Sequence, residues 1–171
     1  MSPAPESCVF CSIVDDLTQA GIVWEDDWVL GFMDINPVTD GHVLVVPKVH
    51  VCSFTDVPHA TAARMMNVAQ WIAAALKTSG LRCEEVNLMF AGGEAAFQEV
   101  FHAHLHVIPW FVGDGFTIDA SWIGRSRDSL AASANAIRRA LQASAVTLGR
   151  MGTLCAAPMT ALFYAIRDRR A

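Results

Sequence analysis

Charge is scarce in this chain of 171 residues: 17% of positions are Asp, Glu, Lys or Arg, 53% are hydrophobic, and mean hydropathy is +0.35. So little charge excludes a disordered, solvated polypeptide. A chain of about one domain's length with this much apolar content can bury a core without disulfide staples. Net positive charge is also missing. The formal charge is −5 and the pI about 5.6, which argues against a protein that lives on nucleic acid or an anionic membrane, although a nucleotide in a pocket needs only local donors. An apolar run of about 20 residues, the length of a spanning helix, is absent. The least polar stretch, residues 151–166, is cut by Gly152 and Pro158. Its Leu154, Cys155, Leu162, Phe163 and Ile166 fit a helical stripe suited to docking on protein. No basic-then-apolar leader, Gly/Ser linker or internal repeat is visible. The five cysteines are Cys8, Cys11, Cys52, Cys83 and Cys155. An odd set in a chain without a leader reads as free thiols or metal ligands, and places the protein in the cytoplasm.

Short apolar runs separated by turn residues fill the first part of the chain. Strands are expected at Trp28–Ile35, His42–Pro47, Val86–Ala91 and Val100–Pro109. The turn-rich string from Asn36 to Gly41 makes the first two a hairpin with a wide loop. A long helix follows Asp56, a plausible cap, with Met65, Val68, Ala69, Ile72 and Leu76 on one stripe and Gly80 ending it. A further helix carries Leu130, Ala134, Ile137 and Leu141 at helical spacing. Strands in hairpins, not alternating with helices, indicate an α+β fold with an antiparallel sheet.

The chemistry concentrates in Phe101-His102-Ala103-His104-Leu105-His106-Val107-Ile108-Pro109. On a strand, alternation puts the three histidines on one face and Phe101, Ala103, Leu105 and Val107 on the other. At about 3.3 Å per residue, His102 and His106 stand about 13 Å apart, too far to share one metal ion, whereas neighbours two apart can. Two chemistries use such a row. One is a metal site, including an open catalytic metal of a hydrolase. The other is nucleophilic attack on phosphorus by a neutral imidazole whose second nitrogen donates to a carbonyl. Near the start, Cys8-x-x-Cys11 is half a zinc site; a redox pair or two idle thiols explain it equally well.

The order of these features resembles the histidine-triad family of nucleotide hydrolases and transferases. Asp34-Ile35-Asn36-Pro37, then Gly41-His42-Val43-Leu44-Val45-Val46-Pro47-Lys48-Val49-His50, a helix, then Gln98-Glu99-Val100 running into the histidine row carry the likeness, which spans about Cys8 to Phe116. The resemblance implies a mainly five-stranded antiparallel sheet with a long helix, a histidine-triad domain over residues 1–125, and a C-terminal helical extension over 126–171, packed on that domain or at a dimer interface. It makes His104 the nucleophile, with His106 and Gln98 at the phosphate and Gly92 and Gly93 in the loop beside it. Asp34 would hold the ribose, and Phe10, Ile13, Phe32 and Ile35 would sandwich the base. The zinc-binding branch implies a structural zinc on Cys8, Cys11, His50 and His102. A homodimer and a purine nucleotide substrate, adenine by expectation, follow likewise, with no nucleic acid or membrane partner. Cys52, Cys83, Cys155, His42 and His59 are read as structural.

Three positions depart from the family pattern. Ala91-Gly92-Gly93 replaces Asn-x-Gly, Ala96-Phe97-Gln98 replaces Ala-Gly-Gln, and Trp110 stands where many bacterial relatives have Arg. Losing one donor to a phosphate could cost on the order of 10²–10³ in rate. The implied activity is cleavage at the α-phosphate of a nucleoside phosphoramidate or dinucleoside polyphosphate through a nucleotidyl-histidine. The alternative is a catalytically weak nucleotide-binding or zinc-stabilised interaction protein.

Overall fold

The computed structural model describes residues 8–117, 120 and 122–151, with side chains up to residue 144. Five strands form one antiparallel sheet: β1 (Ile22–Glu25), β2 (Val29–Met33), β3 (Val43–Pro47), β4 (Glu85–Phe90) and β5 (Leu105–Trp110), in the order β1-β2-β3-β5-β4. The helices are α1 (Val9–Asp15), α2 (His59–Leu76) and α3 (Arg127–Met151). The α+β class expected from the hairpin pattern is the one observed. The chain divides into two units, Met1–Ile118 and Asp119–Ala171. The sheet, α1 and α2 belong to the first and α3 to the second.

Alternation along β3 separates two cores. Every residue from Val43 to Pro47 is buried, as a continuous apolar strand covered on both faces must be. Val43 and Val45, with Val29, Leu105 and Val107, pack against Met65, Val68, Ala69 and Ile72 of α2. Leu44 and Val46, with Leu30 and Phe32, pack on the opposite face against Phe10 and Ile13 of α1. Each fully buried Leu, Val or Ile contributes about 1.5–3 kcal/mol by leaving water, so the two layers jointly fix the sheet.

The structure corrects three sequence expectations in detail. β1 is an additional strand: its Ile-Val-Trp-Glu run is only four residues long and half-exposed in alternation, shorter than the strands read from the sequence. Asp56 does not cap α2; it lies in a 3-10 turn, Phe54–Asp56, capped by Ser53, and the helix begins at His59 after Pro58. The last strand starts at Leu105 rather than Val100. Beyond Val45 the partner strand offers no ladder to the segment before Leu105; His102 instead bonds to Pro47 O, and Ala103 N–H donates to Val51 O. Alternation nevertheless persists through this lead-in, since Ala103 joins Leu105 and Val107 in the α2-facing core. The further helix is present as α3, with Leu130, Ile137 and Leu141 of its stripe exposed. The stripe read over residues 151–166, with Cys155, lies outside the described residues apart from the backbone at Met151. Among the described residues no helix is long and apolar enough to cross a membrane.

Candidate active site and metal centre

A cavity of about 620 Å³ opens on the sheet face opposite α2. Its lining includes Phe10, Ile13, Phe32, Asp34 and Ile35, together with Met89, Ala91, Phe97 and Glu99, and His42, His104 and His106 among them. Strand order explains the layout. β5 carries His106 opposite Leu44 of β3, while β2 and β4 flank that central pair.

Hydrogen bonds assign the protons on the imidazoles. His104 Nδ1 donates to the His102 carbonyl at 2.7 Å, so its Nε2 keeps a lone pair. Burial lowers the His104 pKa below its ordinary value, outweighing that hydrogen bond and the nearby Asp34 carboxylate, and favours the neutral ring. The main chain of Val38 donates to His42 Nδ1 at 3.2 Å, which leaves the proton of neutral His42 on Nε2. That Nε2 donates to His106 Nδ1 at 2.9 Å, so His106 carries its own proton on Nε2. Burial, then His104 and His42, hold the His106 pKa down at about 4. Burial likewise lowers that of His42, against the pull of Asp34. One wall thus offers a lone pair on His104 and an N–H on His106.

His42, read from the sequence as structural, is therefore part of this network. Its signal lay in register: His42, just before β3, continues the alternation of Leu44 and Val46, and pairing Leu44 with His106 brings the two histidines together. A single strand read alone does not reveal that. Asp34, Oδ1 of which accepts from Asn36 N–H at 2.9 Å, both caps the loop after β2 and lines the cavity. Phe10 stacks edge-on against Phe32 and His104 at 5.4 and 5.2 Å. Ile35 sits at the rim, 92% exposed.

The loop before the histidines is arranged differently from expectation. Gln98, Gly92 and Gly93 do not line the cavity. The Gln98 side chain donates to the carbonyls of Cys52 and Val100 at 2.8 and 3.1 Å and accepts from Gly93 N–H at 2.7 Å. Its amide and the Gly93 N–H satisfy each other in place of an anion. Among the described residues the buried Trp110 indole nitrogen has no hydrogen-bond partner, and its ring meets Phe116 edge-on.

His102 belongs to a different centre. Its Nε2 donates to Pro47 O at 2.8 Å, which turns the Nδ1 lone pair towards the cysteines. Cys8 Sγ and Cys11 Sγ lie 3.5 and 3.6 Å from His102 Nδ1, and Cys11 Sγ lies 3.2 Å from His50 Nδ1. Zinc–sulfur and zinc–nitrogen bonds of about 2.3 and 2.0 Å in a tetrahedron give sulfur–nitrogen edges of about 3.5 Å. All four ligand atoms lie within 4.8 Å of one another. Burial first, then the Cys8 thiol, pushes the Cys11 pKa up to about 11; paired thiolates at such a site call for a cation. The residues fit zinc. A second convergent set, Asp34, His42 and His106, already spends both His42 nitrogens on Val38 and His106, which disfavours an open catalytic metal there.

The HIT domain family model matches residues 17–112. The chain belongs to the HIT family. A zinc-bound histidine triad protein from Mycobacterium smegmatis is 45% identical, with a TM-score of 0.63, covering 69% of this chain and 85% of that one. An uncharacterised HIT-like protein of Mycobacterium tuberculosis is 37% identical over 78% of this chain and 92% of its own. An adenylylsulfatase of Arabidopsis thaliana is 35% identical over 63% of this chain and 54% of its own length. The HIT fold, the zinc-bound relative and the four converging ligands agree on a HIT protein with a cluster able to hold zinc.

Proposed function

We propose that this HIT protein is a nucleotide hydrolase or nucleotidyl transferase acting at the α-phosphate of a nucleoside phosphoramidate or phosphoanhydride. The observation that carries this reading is the His104 Nδ1–H bond to the His102 carbonyl, which leaves Nε2 unprotonated in the cavity. His104 Nε2 attacks phosphorus, a P–N bond forms, and the bond to the leaving group breaks. The His106 Nε2–H stabilises charge on the phosphoryl oxygens, and the departing atom takes up a proton from solvent. Water or another acceptor then attacks the nucleotidyl-histidine, the P–N bond breaks, and His104 is restored. Phe10, Ile13, Phe32 and Ile35 supply apolar surface for a purine, adenine by preference, and Asp34 accepts from the ribose hydroxyls. Gln98 acts by holding the Gly93 loop. Cys8, Cys11, His50 and His102 would hold a zinc ion that ties the N-terminal segment to the lead-in to β5, a structural role apart from the bond-breaking groups. The protein is proposed to act in the cytoplasm, which suits reduced thiols, and as a homodimer; sedimentation as a monomer at micromolar concentration would contradict the latter.

Gln98's commitment to Cys52 and Val100 favours a second reading, a nucleotide-binding protein with little turnover. One assay separates the two. Wild type is expected to cleave at least one of an adenosine phosphoramidate, a dinucleoside polyphosphate and a nucleotide sugar, while His104→Ala keeps fold and zinc but loses turnover by about 10⁴-fold or more. Nucleotide binding without turnover by wild type selects the binding protein, and turnover surviving in His104→Ala removes the nucleophile.

A further inference from the structure

The cavity lining holds a carboxylate and an aromatic ring that the proposed chemistry leaves unused. Sheet order puts β2, with Phe32, on one side of the histidine-bearing pair β3–β5, and β4 on the other. A nucleoside on Phe10, Phe32 and Asp34 leaves Met89, Phe97 and Glu99 as cavity lining for the remaining substituent on phosphorus. Among the described residues lining the cavity, Asp34 and Glu99 are the charged ones; neither Lys nor Arg is present. Glu99 is exposed and takes part in no ion pair or side-chain hydrogen bond among the described residues.

Phe97 is the one non-glycine residue with positive φ among those described, at 65°, and its side chain is 89% exposed. A left-handed bulky residue costs on the order of 1–3 kcal/mol, and an exposed aromatic ring gains nothing from the core. The turn that strains it, closed by Phe97 N–H donating to Glu94 O at 3.0 Å, sets the ring at the cavity mouth two residues from Glu99.

We infer that Phe97 and Glu99 form a leaving-group subsite selective for a cationic organic amine, making the preferred substrate a nucleoside phosphoramidate whose amine bears a second, positively charged group. The inference rests on the function proposed above and narrows it. A cation is held by the ring face and the carboxylate together. A phosphate chain or sulfate in the same place meets Glu99 with no basic side chain to offset it. During cleavage the P–N bond breaks, its electron pair stays on nitrogen, and one proton taken up from solvent lets that nitrogen leave as a neutral amine, while the second, cationic group keeps its charge beside Glu99 throughout.

The test compares kcat/KM for adenosine phosphoramidates of a diamine with a free terminal ammonium and of an alkylamine of equal length, together with diadenosine polyphosphate and adenylyl sulfate. Wild type is expected to prefer the ammonium-bearing substrate over its neutral counterpart by about tenfold. Glu99→Gln should bring that ratio to within about twofold, Glu99→Lys should shift preference to the anionic leaving groups, and Phe97→Gly should narrow the gap in part. Cleavage with the same ranking in wild type and Glu99→Gln overturns the subsite and leaves the proposed function standing. Failure of folded, zinc-loaded wild type to cleave any of the four, or a nucleotide sugar, overturns both.

Discussion

Whether His106 offers the cavity a proton or a lone pair is decided by His42, through the 2.9 Å bond between their rings. Replacing His42 with Leu leaves His106 Nδ1 unpartnered and its tautomer free. The expected result is a fall in kcat of about tenfold or more, each tenfold corresponding to about 1.4 kcal/mol, with a much smaller change in KM. Equal loss in both parameters would mean that His42 serves only packing. The same burial has a consequence for stability. The unfolded chain protonates histidine near the ordinary value of about 6.5, whereas folded His106 resists protonation down to about 4. Between these values the unfolded state binds more protons, so stability is complete above about pH 6.5 and declines as pH falls towards 4. Thermal melts of wild type should lose Tm across that window, and His106→Phe should show a shallower decline. At this scale the sequence revealed side-chain identity but not partners. Nothing local in Gly41-His42-Val43 shows that a second histidine lies across the sheet, and nothing in Gln98 shows that its amide is spent on Cys52 and Val100.

At the scale of elements, the metal centre joins three pieces of chain that the ladder does not connect: the start of α1, the segment after β3 that carries His50, and the lead-in to β5. Because His102 and His104 precede the strand, their positions depend on Pro47 O, Val51 O and the metal ligands rather than on strand pairing. Removing the metal with a chelator, or making Cys8→Ser, should therefore lower Tm by several degrees, since about 1 kcal/mol corresponds to roughly 2–8 °C depending on domain size. It should also reduce activity through His104 placement. A melt unaffected by either change would show that the four residues carry no bound metal. In the core, Leu30→Ala should cost about 2–5 kcal/mol in denaturant unfolding, as Leu30 is fully buried against α1's layer. The periodic stripe of α2 and the continuous apolar β3 were readable because burial on one face, or both, writes itself into spacing. β1 and the true start of β5 were not, because edge pairing and the loss of a partner strand are decided by distant residues.

At the scale of the molecule, every residue of the cavity and of the metal cluster falls within the unit Met1–Ile118. A chain ending at residue 118 should retain zinc and the substrate ranking of the full-length protein, as measured by metal content and relative kcat/KM. Loss of zinc on truncation would show that the second unit supports the first. The broad architecture was legible because the Asp-Ile-Asn-Pro, Pro-Lys-x-His and alternating-histidine segments occur in the order the HIT fold requires. The division of labour along the histidine row, with His102 for metal and His104 and His106 for the cavity, came from the family resemblance; spacing showed only that the three could not share one ion. The geometry now supplies a physical reason, since each ring is turned by a different hydrogen-bond partner.

The claim at the centre is that His104 Nε2 becomes covalently bonded to phosphorus. The most direct measurement is rapid quenching of wild type during turnover of an adenosine phosphoramidate, followed by peptide mass spectrometry under alkaline conditions that preserve a P–N bond. The expected result is a nucleotidyl adduct on His104 that is missing from His104→Ala. Full turnover with no adduct at His104, or with the adduct on another residue, would contradict it.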